Sequence, residues 1–455
     1  MEALGGISVA AMMSIIALAV VIIISCVNEN LHVGFLAICF AIIVGGIWLD
    51  MKGSVVVRGF PLSLFMILVG VTFMFAMAQV NGTLEKLTSY SVRLCGGNMM
   101  FLPFIIFILT VIITTIGPGN IAGVALLAPI TMAIAARVGM SGFCMTLLVV
   151  GAANAACFSP FAPTGIISNG LIAKMAPQIP DLFRVWSPDG LAWKIYFNSM
   201  LAQGMVTIAG FAVFGGWAWM MRHKSASVHI DEIAPKPEPF TAKQWYTMGA
   251  IFIMLFLVIV PALPGMKAYF PKVVMNMASN IGTICFVLSG FLMLLNAADS
   301  KGAVKSMPWF VIMMVCGVTV LIEVMEKSGG LKAMTQAIAA LSGPATVNFW
   351  LGIVTGIISA YSSSSGVVIP AFLPLVPGLL TQVPGSDAIA MISSINVGAH
   401  LVDTSPLSTL GALMIACAGE HEDKQKLFRN LLIWGLAMSV VGAVVCWLFF
   451  GIIGM

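Results

Sequence analysis

The residues Ser159-Pro160-Phe161-Ala162-Pro163-Thr164-Gly165 interrupt an apolar stretch, 143–173, that is otherwise long enough to cross a membrane. A transmembrane helix needs about 20 mostly apolar residues, and a proline removes a backbone donor and breaks the helix around it. A second apolar stretch, 386–418, is interrupted in the same way by Asp403-Thr404-Ser405-Pro406-Leu407-Ser408-Thr409. We therefore expect two broken membrane helices, each with polar residues at its break.

Two further apolar stretches carry polar interruptions near their middles. Residues 99–138 are divided by Gly117-Pro118-Gly119-Asn120, and residues 346–381 by Ser362-Ser363-Ser364-Ser365-Gly366. Each half is short for a full crossing, so we expect two re-entrant hairpins that turn back at these tips. Irregular backbone at membrane depth is tolerated only where protein or a water-filled cavity satisfies its polar groups.

The interruptions recur at a nearly constant spacing. Gly70 and Gly317 lie 247 positions apart, and Ser159 and Ser405 lie 246 apart, as do residues of the two hairpin tips. Each half of the chain then holds five spans and one hairpin. Because five is odd, the second half must be inverted relative to the first. Inverted repeats are typical of secondary transporters, whose sites lie at the midplane between the repeats.

The composition is that of a membrane protein. Of 455 residues, 60% are hydrophobic and only 8% are charged, with a net charge of +4 and a mean hydropathy of +1.07. Soluble proteins have about 25% charged residues. These values exclude a water-soluble enzyme, a disordered regulator and a nucleic-acid binder. The nine cysteines form no CxxC pair, so we expect buried thiols rather than a disulfide frame or a metal site.

These patterns predict an all-α polytopic membrane protein with two inverted repeats of five spans plus one re-entrant hairpin each. The ten expected spans lie near residues 7–27, 31–49, 60–80, 143–173, 195–221, 246–263, 275–297, 308–326, 386–418 and 429–453. With the amino terminus outside, the polar linker 223–245 lies in the cytoplasm, an orientation that the positive-inside rule favours weakly.

A short amphipathic stretch precedes each hairpin. Leu84, Leu87 and Leu94 fall on one helical face, and Leu331, Met334, Ile338 and Leu341 do likewise. Both are expected to be helices lying along the membrane surface, or alternatively extensions of the preceding spans. We accordingly expect a scaffold made of residues 1–95 and 246–342, a transport domain made of residues 96–222 and 343–455, and the linker 223–245 between the two halves.

The four interruptions are the candidate site. The second half of a broken helix starts with free N–H groups and a dipole that attract anions, whereas the carbonyl end of the first half suits a small cation. The expected anion-binding residues are Gly119, Asn120, Ser159, Pro160, Thr164, Ser364, Ser365, Gly366, Thr404 and Ser405. The expected cation-binding residues are Asn120, Asn154, Ser363, Ser364 and Asp403. As an alternative, Ser and Thr can bond back to the preceding helical turn, and Gly can permit close helix packing.

Asp403 is the only carboxylate within these interruptions. An intramembrane acid suggests a function, here as a cation ligand or a proton carrier, although Asp is also a good helix N-cap. The corresponding position in the first half is Cys157, so the acid breaks the repeat. His400 is titratable near neutral pH and could relay protons, or could be a hydrogen-bonded packing residue.

The sequence resembles the malonate-carrier type of dicarboxylate permease. The resembling stretches are Gly59-Phe60-Pro61-Leu62-Ser63-Leu64-Phe65, Ala78-Gln79-Val80-Asn81-Gly82-Thr83 and Gly151-Ala152-Ala153-Asn154 through Phe158-Ser159-Pro160. More distantly, the layout is similar to the divalent anion/sodium symporters of the ion transporter superfamily. That resemblance implies an elevator mechanism, a homodimer, and a dicarboxylate bound with sodium at the tips and breaks.

The tips depart from those of the sodium symporters, which carry Ser-Asn-Thr. The first tip here reads Gly119-Asn120-Ile121 and the second reads Ser364-Ser365-Gly366. Sodium and protons therefore both stay open as the coupling ion, and no other metal or cofactor is expected.

These inferences predict a cation-coupled importer of small dicarboxylates, such as malonate or succinate, in the lipid bilayer of a bacterial inner membrane. One alternative is a cation/proton antiporter that uses Asp403, and another is the membrane subunit of a binding-protein-dependent carrier. An ion channel ranks below these because no continuous polar stripe lines several helices. A membrane enzyme is not expected, since the sequence has no Ser/His/Asp set and no HExxH motif.

Overall fold

The structure is a computed structural model that describes residues 8–27, 31–93, 99–223, 237–262, 269–278, 280–419 and 422–454. Within these ranges all regular secondary structure is helical, so the predicted all-α class is confirmed. Most of the expected cytoplasmic linker, residues 224–236, and Leu94 of the first amphipathic face lie outside the described residues.

The order of the longer helices is similar in the two halves of the chain, although the short helix Pro180–Val185 has no counterpart in the second half. The helices of the first half are Val9–Val27, Val33–Trp48, Gly53–Val57, Leu62–Val80, Thr83–Arg93, Leu102–Ile116, Gly119–Val138, Gly142–Ala156, Pro163–Met175, Pro180–Val185, Pro188–Phe211 and Trp217–Arg222. Those of the second half are Ala242–Ala262, Lys272–Ala278, Ile281–Leu294, Ser300–Ser306, Trp309–Ser328, Gly330–Leu341, Val347–Ser359, Ile369–Phe372, Val376–Gln382, Ala388–Leu401, Thr409–Ala416 and Lys424–Cys446. Short π-helical segments cover Ala212–Gly216, Ser364–Val368 and Trp447–Ile452.

Seven helices among the described residues are long and apolar enough to cross a membrane. They are Leu62–Val80, Gly119–Val138, Pro188–Arg222, Ala242–Pro261, Trp309–Ser328, Ser364–Gln382 and Lys424–Ile452. Five of them correspond to expected spans. The chain is therefore a multi-pass membrane protein.

The other two long helices are the second arms of the hairpins. Gly119–Val138 has 20 residues and Ser364–Gln382 has 19, so the expectation that each hairpin half is short is wrong for these arms. Their prolines do not end them: Pro129 lies inside the first arm, and the second arm continues through a 3-10 turn at Leu373–Leu375.

The expected span 275–297 also differs from the structure. Two helices, Lys272–Ala278 and Ile281–Leu294, occupy this stretch. Asn280 begins the second helix, and its Oδ1 accepts a hydrogen bond from the Gly282 amide at 2.8 Å. Hydropathy alone predicts one continuous helix here, but the capping asparagine starts a second helix inside the apolar run.

Helices of the two halves pack on each other at glycines. A Cβ atom on Gly70 would lie 2.5 Å from the Gly282 carbonyl oxygen, and one on Gly317 would lie 2.0 Å from the Gly34 carbonyl oxygen. Leu62–Val80 thus contacts Ile281–Leu294 at backbone distance, and Trp309–Ser328 contacts Val33–Trp48 in the same way. Each contact joins one half of the chain to the other.

The amphipathic stretches are separate helices rather than extensions of the preceding spans. Thr83–Arg93 follows Gly82, which has φ +74°, and Gly330–Leu341 follows Gly329, which has φ +85°. Left-handed backbone of this kind ends a helix and is adopted most easily by glycine. The two glycines are 247 positions apart, in keeping with the repeat.

Contacts between residues near the helix ends sort those ends into two groups. At the end that carries the linker, Asn81 Nδ2 donates to Thr247 Oγ1 at 2.7 Å, and Trp219 Nε1 donates to the Val138 carbonyl oxygen at 3.1 Å. We call this the linker end. The base of the first hairpin, next to Val138, lies here. At the opposite end Ser14 Oγ and Ser328 Oγ lie 2.8 Å apart, which places the first turns of Val9–Val27 beside the second amphipathic helix.

Candidate functional site

A cavity of about 590 Å³ lies where the four interruptions meet. The first hairpin tip contributes Gly117, Pro118, Gly119 and Asn120, and the first break contributes Pro163 and Thr164. The second tip contributes Ser362 to Ser365, and the second break contributes Asp403 and Leu407 to Leu410. The fold thus brings together segments that lie far apart in the sequence.

The expected site residues divide into two groups. Those that line the cavity are Gly119, Asn120, Thr164, Ser363, Ser364, Ser365 and Asp403. Those outside its lining are Asn154, Ser159, Pro160, Gly366, Thr404 and Ser405.

Several residues outside the lining have visible packing roles. Ser159 Oγ donates to the Thr115 carbonyl oxygen at 2.7 Å, and a Cβ on Gly366 would lie 2.1 Å from Met314 Cε. Each of the two breaks also contains the same kind of close contact, between a glycine and the carbonyl group of a preceding serine. A Cβ on Gly165 would lie 2.0 Å from the Ser159 carbonyl oxygen, and one on Gly411 would lie 2.1 Å from that of Ser405.

Four helices begin at the cavity wall. The second arms of both hairpins and the second halves of both broken helices start at Gly119, Ser364, Pro163 and Thr409, and all four residues line the cavity. The first amides of a helix have no partner within that helix, and the dipole makes this end positive by about half a charge. The wall can therefore attract anions even though no Lys, Arg or His side chain lines it among the described residues.

A chain of amide hydrogen bonds connects the first tip to both broken helices. Asn120 Nδ2 donates to Asn154 Oδ1 at 3.0 Å, and Asn154 Nδ2 donates to the His400 carbonyl oxygen at 3.0 Å. His400 is the residue 246 positions after Asn154, so the bond joins equivalent positions of the two halves. Asn154 therefore fixes the tip from behind the cavity.

Hydroxyl groups connect the second tip to both breaks. Ser365 Oγ lies 3.1 Å from Thr164 Oγ1 and 3.0 Å from His400 Nε2. His400 Nδ1 faces the Asn396 carbonyl oxygen at 3.1 Å, and because a carbonyl only accepts, Nδ1 carries the proton. In a neutral ring Nε2 then accepts from Ser365. Both ring nitrogens are engaged, as expected of a hydrogen-bonded packing histidine.

Asp403 is buried and bonded to the second tip. Its Oδ1 accepts a hydrogen bond of 2.6 Å from Ser364 Oγ, and Ser364 Oγ lies 2.5 Å from Ser359 Oγ. The helix that follows the second break is capped by Ser408, whose Oγ accepts from the Gly411 amide at 3.5 Å. Ser408 Oγ also donates to the Asp403 backbone carbonyl. The Asp403 carboxylate is thus free of the capping role and faces the cavity.

The charge of the cavity wall comes from this one residue. Within the described residues of the chain, the lining contains the Asp403 carboxylate and no Lys, Arg or His side chain. The other polar groups are amides, hydroxyls and helix N-termini. Hard cations such as Na⁺ prefer oxygen ligands, and the Asp403 carboxylate with the Ser364 hydroxyl offers two of them.

Four polar residues of the lining lie outside the four interruptions and were not among the expected site residues. Gln79 and Thr72 come from the helix Leu62–Val80, Ser306 precedes Trp309–Ser328, and Tyr361 lies beside the second tip. Thr72 lies two residues after Gly70, and Thr319 follows Gly317 at the same distance, so the repeat itself could have pointed to Thr72 as a candidate site residue. Gln79 and Ser306 lie near the linker end, and the cavity extends from the tips in that direction.

Comparisons with known proteins agree with this architecture. Residues 9–157 match the sequence model of the family described as Dicarboxylate carrier protein MatC N-terminus. The crystal structure of the Alcanivorax borkumensis YdaH transporter, which has an unusual topology, is similar over 97% of each chain, with a TM-score of 0.58 and 14% sequence identity. No curated protein matches the chain.

Both likenesses are to proteins that carry solutes, which supports the expectation that the chain is not an enzyme. The resemblance stated from the sequence is also confirmed, because the family match covers two of its three stretches and most of the third. Over residues 9–157 the chain is similar to the amino-terminal region of the dicarboxylate carrier MatC, and over nearly its whole length its fold is similar to that of the YdaH transporter.

Proposed function

We propose that the chain is a secondary transporter that takes up small dicarboxylates of three or four carbons together with sodium ions or protons. The observation that carries the proposal is the cavity of about 590 Å³, which four helix N-termini and a single carboxylate line. Its volume lies in the usual range of small-molecule sites, about 300–1,000 Å³. The likeness to dicarboxylate carriers supports the substrate class.

Charge balance supports coupling to a cation. Four helix N-termini supply about +2 in total, at about half a charge each. A dicarboxylate brings −2, and an ionised Asp403 adds −1. The surplus negative charge of about one unit would be buried, which is costly. Binding a proton or a sodium ion at Asp403 removes that surplus, so the substrate and the cation favour each other's binding.

The geometry also suggests how the two substrate carboxylates are held. Thr164 is the second residue of a helix of the first half. Ser365 lies in the first turn of a helix of the second half, and the two hydroxyls are 3.1 Å apart. Each half of the chain can then bind one of the two substrate carboxylates, while Asn120 orients the first tip. A monocarboxylate would leave one set of N–H groups unpaired and should bind less well.

The elevator movement, the inverted orientation of the repeats and the homodimer belong to the same proposal. The interlocked helices Leu62–Val80 and Trp309–Ser328 would form the fixed scaffold, within residues 1–95 and 246–342. The hairpins and broken helices of residues 96–222 and 343–455 would carry the substrate across a bacterial inner membrane. The linker would then lie in the cytoplasm.

Uptake by the purified chain tests the proposal. The full chain is reconstituted in liposomes, and entry of labelled malonate and succinate is measured with a sodium gradient, a proton gradient or neither. We expect uptake that one gradient drives and that unlabelled malonate, succinate or malate inhibits, whereas acetate does not. Uptake without any soluble partner would also exclude a binding-protein-dependent carrier. Absence of competition by every dicarboxylate would contradict the proposal.

A further inference from the structure

Gln203 has a buried acceptor that no described residue satisfies. The residue is 0% exposed in the helix Pro188–Phe211, and its Nε2 donates to the Asn154 carbonyl oxygen at 3.1 Å and to Ser199 Oγ at 2.7 Å. Because the Asn154 carbonyl only accepts, these bonds fix the orientation of the amide. Gln203 Oε1 is buried without a hydrogen-bond partner among the described residues.

A small cavity of about 10 Å³ lies beside this side chain and shares no residue with the large one. That volume holds one water-sized particle. Thr207 and Thr404 also line it, and Trp434 and Met438 are apolar members of the lining. Thr207 Oγ1 donates its proton to the Gln203 backbone carbonyl at 2.8 Å. Toward the cavity this hydroxyl therefore presents only lone pairs.

The small cavity lies at the carbonyl ends of two helices. Asn154, in the last turn of Gly142–Ala156, and Leu401, the last residue of Ala388–Leu401, both line it. Helix C-termini carry a partial negative charge, so two of them favour a cation. His400 lines the cavity as well, but both of its ring nitrogens are bonded elsewhere, to Asn396 and Ser365.

We propose that this small cavity binds one sodium ion, held by Gln203 Oε1 with the hydroxyl oxygens of Thr207 and Thr404. The wall supplies acceptors and two negative helix ends, which suit a cation better than a water molecule. This site is separate from Asp403. It rests on the proposed function only for its role in coupling, because ion binding itself needs no dicarboxylate.

The test is the thermal midpoint of the purified full chain, titrated with NaCl against choline chloride at constant total salt and without dicarboxylate. Asp403→Asn removes the carboxylate of the large cavity, so any saturable rise in this variant reports the small one. We expect Asp403→Asn to keep such a rise, and the double variant with Gln203→Leu to lose it. The control Ser199→Ala, which leaves Oε1 unchanged, should keep it.

Two results would overturn the inference: no sodium response in Asp403→Asn, or an equal response with and without Gln203→Leu. If Gln203→Leu does not fold, Gln203→Glu in the same background replaces it. If the cavity binds sodium, the sodium affinity of the Gln203→Glu variant should be about tenfold higher, because affinity rises with the charge of the ligands. If the cavity holds only a water molecule, the substitution should not raise the sodium affinity. A shift on adding succinate to the wild-type chain is measured separately, and its absence would count against the proposed function alone.

Discussion

The hydroxyl oxygens of Thr164 and Ser365 lie 3.1 Å apart, although 201 positions separate the two residues and they belong to different halves of the chain. Thr164 lies at the start of one helix and Ser365 in the first turn of another, and both line the large cavity. The contact also continues to His400 through Ser365. A single hydroxyl pair therefore joins the first break, the second tip and the second broken helix.

In the structure the Thr164 proton goes to Ser365 Oγ and the Ser365 proton goes to His400 Nε2. A bound carboxylate would take over one of these protons, so removing either hydroxyl should weaken dicarboxylate binding. A hydrogen bond to a charged group contributes about 1.5–3 kcal/mol, so we expect Thr164→Val and Ser365→Ala each to raise the dissociation constant of succinate by about 10- to 100-fold. Because the two hydroxyls act together, the double variant should be less impaired than the product of the single effects. Isothermal titration of the purified variants measures this.

The matched control for that comparison is Thr146→Val. Thr146 is buried in the first half of the same broken helix, and its hydroxyl donates to the Gly142 carbonyl at 2.7 Å, away from the cavity. Its substitution should leave succinate binding within about twofold, as for sites that do not touch a ligand. Equal losses at Thr146 and Thr164 would mean that general damage to the helix causes both.

Neutralising Asp403 distinguishes a symporter from an antiporter. In Asp403→Asn the side-chain oxygen can still accept from Ser364, but the buried charge is gone. For a dicarboxylate symporter we expect uptake to fall by about tenfold or less, as for one lost hydrogen bond of moderate strength, and to lose much of its dependence on the coupling cation. For an antiporter that uses this carboxylate, exchange would stop altogether.

The control for this prediction is Asp387→Asn. Asp387 caps the helix Ala388–Leu401, where its Oδ1 accepts from the Ala390 amide at 2.8 Å, and it lies outside the cavity. An asparagine there keeps the cap, so the cation dependence of uptake should not change. Proteoliposome uptake at a series of sodium concentrations and pH values compares the two variants.

The contact between Trp309–Ser328 and Val33–Trp48 should not tolerate a methyl group at Gly317. A Cβ there would lie 2.0 Å from the Gly34 carbonyl oxygen, a backbone atom that cannot rotate away. Overpacking of this kind costs about 1–3 kcal/mol or more. We expect Gly317→Ala to lower the thermal midpoint clearly. Gly46→Ala lies in a partner helix and meets nothing within 4 Å, so it should be neutral or slightly stabilising.

The open direction of the cavity predicts a pattern of chemical accessibility. Gln79 lines the cavity near the linker end, so Gln79→Cys in a cysteine-free chain should react from the same side of the membrane as Lys243→Cys. Asp189→Cys, which is exposed near the other end of Pro188–Phe211, should react from the opposite side. Labelling of right-side-out and inside-out vesicles with an impermeant maleimide measures this, and succinate should protect Gln79→Cys only.

With the linker in the cytoplasm, Gln79→Cys and Lys243→Cys should react from the cytoplasmic side. Reaction of both from outside the cell would place the linker outside the cytoplasm. Labelling of Gln79→Cys from the same side as Asp189→Cys would contradict the direction in which we describe the cavity.

The four interruptions were predictable because their cause is local. Proline, glycine and hydroxyl residues inside an apolar run break a helix wherever it packs, as at Pro163 and Gly119. The separate amphipathic helices were also predictable, since Gly82 and Gly329 end the preceding spans at equivalent positions. The spacing of 246–247 positions then indicated that the two halves have a similar order of the longer helices.

Which residue of each interruption faces the cavity was not predictable from the sequence. Ser159 and Ser405 lie in the same kind of break as Thr164 and Asp403 but are turned into the protein. The Ser159 hydroxyl donates to the Thr115 carbonyl, and the Ser405 side chain packs against Gly435. Helix rotation and close packing decide this, and no local pattern encodes them.

Residues supplied from elsewhere in the fold were missed for a related reason. Gln79 reaches the cavity from the helix Leu62–Val80, and Gln203 lies behind the first break in the helix Pro188–Phe211, which only its hydropathy marks in the sequence. In the sequence each is a polar residue in an apolar helix, without a neighbouring interruption to mark it. Asn280, which divides an expected span, was missed in the same way.

An experimental structure of the full chain with malonate or succinate and sodium would decide where the dicarboxylate binds. We predict density for the dicarboxylate between the two tips and the two breaks, with its oxygens within hydrogen-bond distance of Thr164 and Ser365. Density for the anion elsewhere, with this cavity empty at a saturating concentration, would contradict the proposed site and the transport function built on it.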